Sequence, residues 1–128
     1  MDIQTILKEA KTIAVVGMSD KPERASHEVG VYLSQFYDVI PVNPNCEEIA
    51  GMKCYPDLES IPVPVDIVDV FQRSENIPPF VEPAIAIGAK CFWMQLDISN
   101  ADAERQLEAA GIFVVDDRCT KIEHARFA

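Results

Sequence analysis

The segment from Thr12 to Ser26, TIAVVGMSDKPERAS, constrains this chain more than any other. An apolar, β-branched run ends at Gly17-Met18-Ser19, a short polar loop follows, and helical spacing opens at Ser26. A strand, a glycine turn and a helix N-terminus bring several backbone N–H groups and the positive end of a helix dipole to one point, which suits a phosphate. The segment therefore predicts a nucleotide-type binding site at the head of a βα unit.

The dinucleotide fingerprint uses one glycine for the turn, one for close approach of the pyrophosphate and one for helix packing, with an acidic residue about 20 residues on for the ribose. Here only Gly17 is in place, and Ser19 stands where the second glycine would be. The second apolar run reads Val39-Ile40-Pro41-Val42-Asn43-Pro44-Asn45, without the acidic residue. Nicotinamide and flavin dinucleotides are disfavoured, and a phosphate-bearing ligand of another kind is expected.

The remaining apolar runs extend the same pattern. Ile13 to Val16, Val39 to Val42, Ile67 to Phe71, Cys91 to Gln95 and Ile112 to Val115 are short and rich in β-branched and aromatic residues, as strands buried on both faces are. Lys53 to Tyr55 is a candidate sixth. Helical spacing is found over Ser26 to Phe36, Phe80 to Gly88 and Ala101 to Gly111, with Asn100 or Ser99 as a cap for the last. Most prolines fall between these elements, Pro41 and Pro83 being the exceptions, and no internal repeat is visible. Alternation of this kind predicts an α/β fold, a Rossmann-like doubly wound parallel sheet in a single domain over residues 1–128 with strand order 3-2-1-4-5-6. Ligands of such sheets sit beyond the carboxyl ends of the strands where the order reverses. That places the loops Met18 to Ser26 and Gln72 to Ser74 across one crevice, flanked by Asn43-Pro44 and by Gln95.

Charge narrows the partners. With 11 basic and 21 acidic residues the net charge is -10, which repels nucleic acid. A small anion needs only local dipoles and a few cations, for which Lys21, Arg24 and Arg73 are the candidates. No apolar run approaches the length of a membrane span, and Met1-Asp2-Ile3-Gln4 does not open a secretory signal, so the chain reads as cytoplasmic. Cys46, Cys54, Cys91 and Cys119 lack metal-binding spacing and there are only two histidines, so no metal site is expected and the thiols are read as free. Cys119 and His124 invite a nucleophile and base reading. Five residues on a helix turn through about 140°, so the two would point apart while Thr120 and His124 share a face. A buried thiol and a histidine favoured by the helix dipole is the expectation, leaving no catalytic residue.

Taken together, Val16-Gly17-Met18-Ser19-Asp20-Lys21-Pro22, Ser26, Val39 to Pro44, Gly51, Tyr55-Pro56, Val70 to Arg73, Gly88-Ala89-Lys90, Trp93-Met94-Gln95 and Asp117 to His124 resemble the small stand-alone CoA-binding proteins. These are similar to the CoA-binding domain of the succinyl-CoA synthetase alpha subunit. The resemblance runs from about Ile6 to Phe127 and implies a Rossmann-type domain that binds coenzyme A or an acyl-CoA without catalysis. It implies that Gly17, Met18, Ser19, Lys21, Pro22 and Ser26 line the phosphate and adenosine side. Asn43 and Pro44 would then border the nucleotide, Phe71 and Arg73 flank the ligand, and Gln95 lie toward the pantetheine arm.

Three positions depart from the family's habit. Ser26-His27 replaces Ser-Tyr, Gln72-Arg73 replaces Arg-Arg, and Leu96-Asp97-Ile98 stands where glycine follows the glutamine. A carboxylate at Asp97 is expected to repel a phosphate or narrow the pocket. Two other readings remain open: an enzyme using an adenine nucleotide, and an interaction protein that kept the fold without the ligand. A protein partner or an oligomer is also left open.

Overall fold

The computed structural model describes residues 1–127. Five strands, β1 (Thr12–Val16), β2 (Asp38–Val42), β5 (Ile67–Val70), β6 (Cys91–Met94) and β7 (Phe113–Val115), form one parallel sheet in the order β2-β1-β5-β6-β7. A separate antiparallel pair joins β3 (Glu48–Ile49) and β4 (Met52–Lys53). The expected order holds, with its outermost strand reduced to a single parallel bridge between Tyr55 and Val42.

Pro41 shows why that edge can tolerate a proline. Its carbonyl accepts the Tyr55 N–H, and in a parallel strand the N–H of the same residue would point to the same side. The missing donor therefore faces the outer edge and breaks no ladder with β1. Pro83 likewise lies in the first turn of α3 (Val81–Ala86), where an N–H has no partner within the helix.

Alternation along the strands divides the core into two layers. Ala14, Val16, Val68, Val70, Phe92 and Met94 point to one face and pack with Ala84 of α3 and with Ala103 and Leu107 of α4 (Ala101–Ala109). Ile13, Val15, Val39, Ile67, Cys91 and Trp93 point to the other face. There they meet Ile6 and Leu7 of α1 (Ile3–Glu9), Val29 and Leu33 of α2 (Ala25–Ser34), and the side bearing α5 (Thr120–Phe127). All residues of β1, β5 and β6 are buried, so the strand that carries the Gly17 turn is one of three fully enclosed strands at the centre of the sheet. Each such aliphatic side chain contributes about 1.5–3 kcal/mol by leaving water.

Helix ends follow their local chemistry. Asn100 caps α4 by accepting the Ala103 N–H at 3.0 Å, and Asp2 caps α1 by accepting the Thr5 N–H at 2.8 Å. Helix α2 starts one residue before the sequence expectation, with Arg24 in the cap position and no side-chain cap bond. Ser26 is therefore not the cap: it lies in the first turn, and its hydroxyl is used elsewhere. No helix is long and apolar enough to cross a membrane among the described residues.

Candidate functional site

At the carboxyl ends of β1, β5 and β6 the loops enclose a cleft in two parts. The first has a volume of about 470 Å³ and is lined by Gly17, Ser19, Arg24, Ser26 and Asn76, together with residues it shares with the second. The second, of about 560 Å³, is lined by Val29, Leu96, Ile98 and Cys119 with Gln95, Ser74, Glu75 and Asp97. Ala25, Phe71, Gln72 and Arg73 border both, so the two form one continuous groove. One end is polar with two arginines; the other is largely apolar.

The polar end is built by the Gly17 turn. Gly17 has φ +82°, and a Cβ there would stand 2.7 Å from the Phe71 carbonyl oxygen, so the close approach of the β1 and β5 turns requires glycine. Beyond it, the Ser19 N–H donates to Ser26 Oγ at 2.9 Å and the Lys21 N–H donates to Ser19 Oγ at 3.1 Å. His27 Nδ1 donates to the Ser19 carbonyl at 2.8 Å, which ties the loop to α2. The loop is thus preformed by its own serines and histidine. With no side chain capping α2, its first-turn residues Ala25 and Ser26 line this end of the groove, where a helix of ten residues presents a positive dipole end.

Met18 turns the other way. Its side chain is fully buried, and its Sδ and Cε fill a notch over Gly30, where a Cβ would come within 2.5 Å. Gly30, which sequence reasoning passed over, thereby supplies the close helix-to-strand packing that the third fingerprint glycine gives elsewhere. Asn43 lies beneath the same turn: its Nδ2 donates to the Met18 carbonyl at 3.0 Å, and its Oδ1 accepts the Asn45 N–H at 2.9 Å. Asn43 thus braces the loop from behind, while Lys21, Pro22 and Pro44 are exposed outside the residues that line the groove. Of the residues singled out from the sequence, Gly17, Ser19, Ser26, Phe71 and Arg73 come together at the polar end, and Gln95 lies at the apolar end.

Under the apolar end sits a buried polar triad. Gln95 Nε2 donates to Asp69 Oδ1 and, at 2.9 Å, to Thr120 Oγ1, while the Thr120 hydroxyl donates to Asp69 Oδ2 at 2.9 Å. Burial pushes the Asp69 carboxyl up to about 7, against the opposing pull of its bonds to Gln95 and Thr120. The triad pins the first turn of α5 to the sheet and so sets where Cys119 meets the groove. Trp93 is core, fully buried with its indole N–H donating to the Arg118 carbonyl at 2.8 Å.

Cys119 and His124 do point apart, as the helical spacing predicts. Cys119 is half-buried at the groove, not enclosed, whereas His124 Nδ1 is hydrogen-bonded to the Tyr32 hydroxyl at 2.8 Å on the opposite side. Burial holds the His124 ring below its ordinary value, opposite in direction to the effect expected of the helix dipole. Asp97 borders the apolar end and not the Gly17 end, which removes the expected clash with a phosphate at the turn. Its φ is +68°, a conformation that glycine adopts freely and that aspartate and asparagine tolerate best among other residues.

A comparison with known sequences settles what this arrangement belongs to: the sequence pattern of the CoA binding domain matches residues 11–125. The chain is a member of the CoA-binding domain family. It is 42% identical to the uncharacterized protein YneT of Bacillus subtilis over 125 residues, covering 97% of this chain and 93% of that one. A hypothetical protein from Pyrococcus horikoshii superposes with a TM-score of 0.94 at 43% identity, covering 98% of this chain and 89% of the other. The ADP-forming acetate–CoA ligase I of Archaeoglobus fulgidus is 29% identical over 122 residues, covering 85% of this chain but only 18% of the ligase. The family's domain thus occurs in small proteins of this size and as a minor portion of a much longer ligase.

Proposed function

We propose that this chain binds coenzyme A or an acyl-CoA in the groove at the carboxyl ends of the strands, without catalysing a reaction on it. The observation that carries this reading is the division of one continuous groove into a polar, arginine-bearing end and an apolar end. Coenzyme A is divided in the same way, with phosphates at one end and a pantetheine arm at the other. The Gly17 turn, Ser19, the first-turn amides of α2 and the guanidinium groups of Arg24 and Arg73 hold the phosphates. Phe71 forms the step between the halves, and Val29, Leu96 and Ile98 receive the arm. When bound, coenzyme A supplies a thiol or thioester; the protein's part is to orient it and limit water around the arm.

Family membership supports the ligand class, and the partial match to the acetate–CoA ligase supports the view that the domain is a binding portion of larger catalysts. Likeness to the succinyl-CoA synthetase alpha subunit belongs to the same reading. The absence of turnover is favoured by the placement of His124, whose Nδ1 is engaged with Tyr32 on the far side of α5 from Cys119. Isothermal titration tests the proposal: CoA is expected to bind at micromolar concentration with one site per chain, and NADH is not expected to displace it. No heat from CoA up to millimolar concentration would remove this reading.

A further inference from the structure

Charge is sorted along the groove. Among the described residues, the polar end is lined by Arg24 and Arg73 and by no carboxylate, whereas Glu75 and Asp97 line only the apolar end. Arg73, the one cation among the described residues bordering the apolar end, also borders the polar end, where a bound ligand's phosphates would engage it. Both carboxylates belong to one braced rim. The Ser99 N–H donates to Ser74 Oγ at 3.1 Å and Asn100 Nδ2 donates to the Ser74 carbonyl at 3.1 Å, joining the loop that bears Asp97 to the one that bears Glu75. On its other side the Asp97 N–H donates to Asp117 Oδ1 at 2.7 Å, and the Asp117 N–H donates to the Ile98 carbonyl at 3.1 Å. The rim is therefore a fixed feature and its negative charge stays at the mouth of the apolar end.

We propose that the site selects thioesters with an uncharged acyl group, and that Asp97 and Glu75 are the residues that turn away acyl groups ending in a carboxylate. The proposal rests on the coenzyme A reading: phosphates held at the Gly17 end direct the thiol end, and whatever it carries, into the apolar half. A small aliphatic acyl group there meets Val29, Leu96, Ile98 and the thiol of Cys119. A terminal carboxylate meets two fixed like charges and no cation that is not already shared with the phosphates. Both carboxylates are solvent-exposed, so screening limits the penalty to a modest factor.

Titration calorimetry with CoA, acetyl-CoA, isobutyryl-CoA and succinyl-CoA at one low ionic strength provides the test. Acetyl- and isobutyryl-CoA are expected to bind within about threefold of CoA, and succinyl-CoA about five- to tenfold more weakly than acetyl-CoA. In a protein carrying both Asp97→Asn and Glu75→Gln, the ratio of the succinyl to the acetyl dissociation constant is expected to fall to within about twofold of unity. Asparagine keeps the left-handed backbone at residue 97, so the rim is conserved while its charge is removed. Succinyl-CoA binding the wild-type protein as tightly as acetyl-CoA would overturn the proposal, and so would a discrimination that survives in the double variant. If CoA itself fails to bind, the coenzyme A reading falls along with it; CoA binding without discrimination overturns the selection alone.

Discussion

Asp66 and Asp69 stand at opposite ends of β5 and are treated in opposite ways. Asp66, at the amino end, is half-buried, which by itself would raise its carboxyl. The N–H groups of Lys11 and Thr12, at 2.8 and 3.0 Å, and the Lys90 ammonium at 3.4 Å outweigh that cost and hold it below the usual carboxylate range. Asp69, toward the carboxyl end, is fully enclosed and receives only neutral donors from Gln95 and Thr120, so burial prevails and its carboxyl rises to about 7. One end of the sheet satisfies its charge internally and acts as a clamp on β1. The other end keeps a reluctant carboxylate under the groove and leaves helix amides and arginines facing outward, the arrangement expected where a ligand completes the electrostatics.

The clamp gives the largest expected effect. Asp66→Ala removes the acceptor of two backbone donors, that of Thr12 partly buried, together with the partner of Lys90, and should cost about 3 kcal/mol of stability by urea denaturation, while the folded fraction still binds CoA. A loss below about 1 kcal/mol would mean that water replaces the carboxylate and that the two ends of β5 do not differ as described.

Asp69 should act through pH. Its folded-state value lies above the ordinary 3.8, so the native protein holds that proton more tightly than the unfolded chain does. Its contribution to stability is therefore complete below about 3.8 and is lost as the pH rises toward 7. Asp69→Asn should remove a decline on the order of 2 kcal/mol between pH 5 and pH 8. Burial lowers the His124 value and works in the reverse direction, but it does so in both proteins, so the difference between them isolates Asp69. Parallel pH profiles for the two proteins would contradict the contrast.

The smallest effect is a footprint. Cys119 lines the apolar end, whereas burial encloses Cys54 and Cys91 and pushes their thiols up. CoA should slow the alkylation of Cys119 by iodoacetamide about tenfold, read by peptide mass spectrometry, and Cys54 and Cys91 should stay unmodified until the protein unfolds. Equal rates at Cys119 with and without CoA would mean that the arm does not enter the apolar half.

Much of the sheet is legible because buried parallel strands are short continuous apolar runs, and all five lie within a residue or two of their expected bounds. Helix α1 escapes because seven residues, Ile3 to Glu9, carry too little periodicity, although Asp2 with Ile3, Ile6 and Leu7 was a usable cap-and-spacing signal. The β3–β4 pair is shorter still and holds only Ile49 in the core. In the site, the residue types that shape the backbone could be read from spacing, as with Gly17. Side-chain direction in a loop could not: Met18 turns inward because Gly30, in the second turn of the following helix α2, leaves room for its sulfur. The apolar end was largely hidden for a related reason, since Leu96, Asp97 and Ile98 meet Val29 and Cys119 only after three separate crossovers bring them together.

On the coenzyme A reading, one groove at the carboxyl ends of the strands receives an anionic head and an apolar arm. Amide chemical-shift mapping during a CoA titration tests it most directly. The large shifts are expected at Ser19, Ala25, Ser26, Phe71 to Arg73 and Leu96 to Ile98, with Lys11, Thr12 and Asp66 unmoved. Shifts clustered at the Asp66 end, or none at saturating CoA, would contradict it.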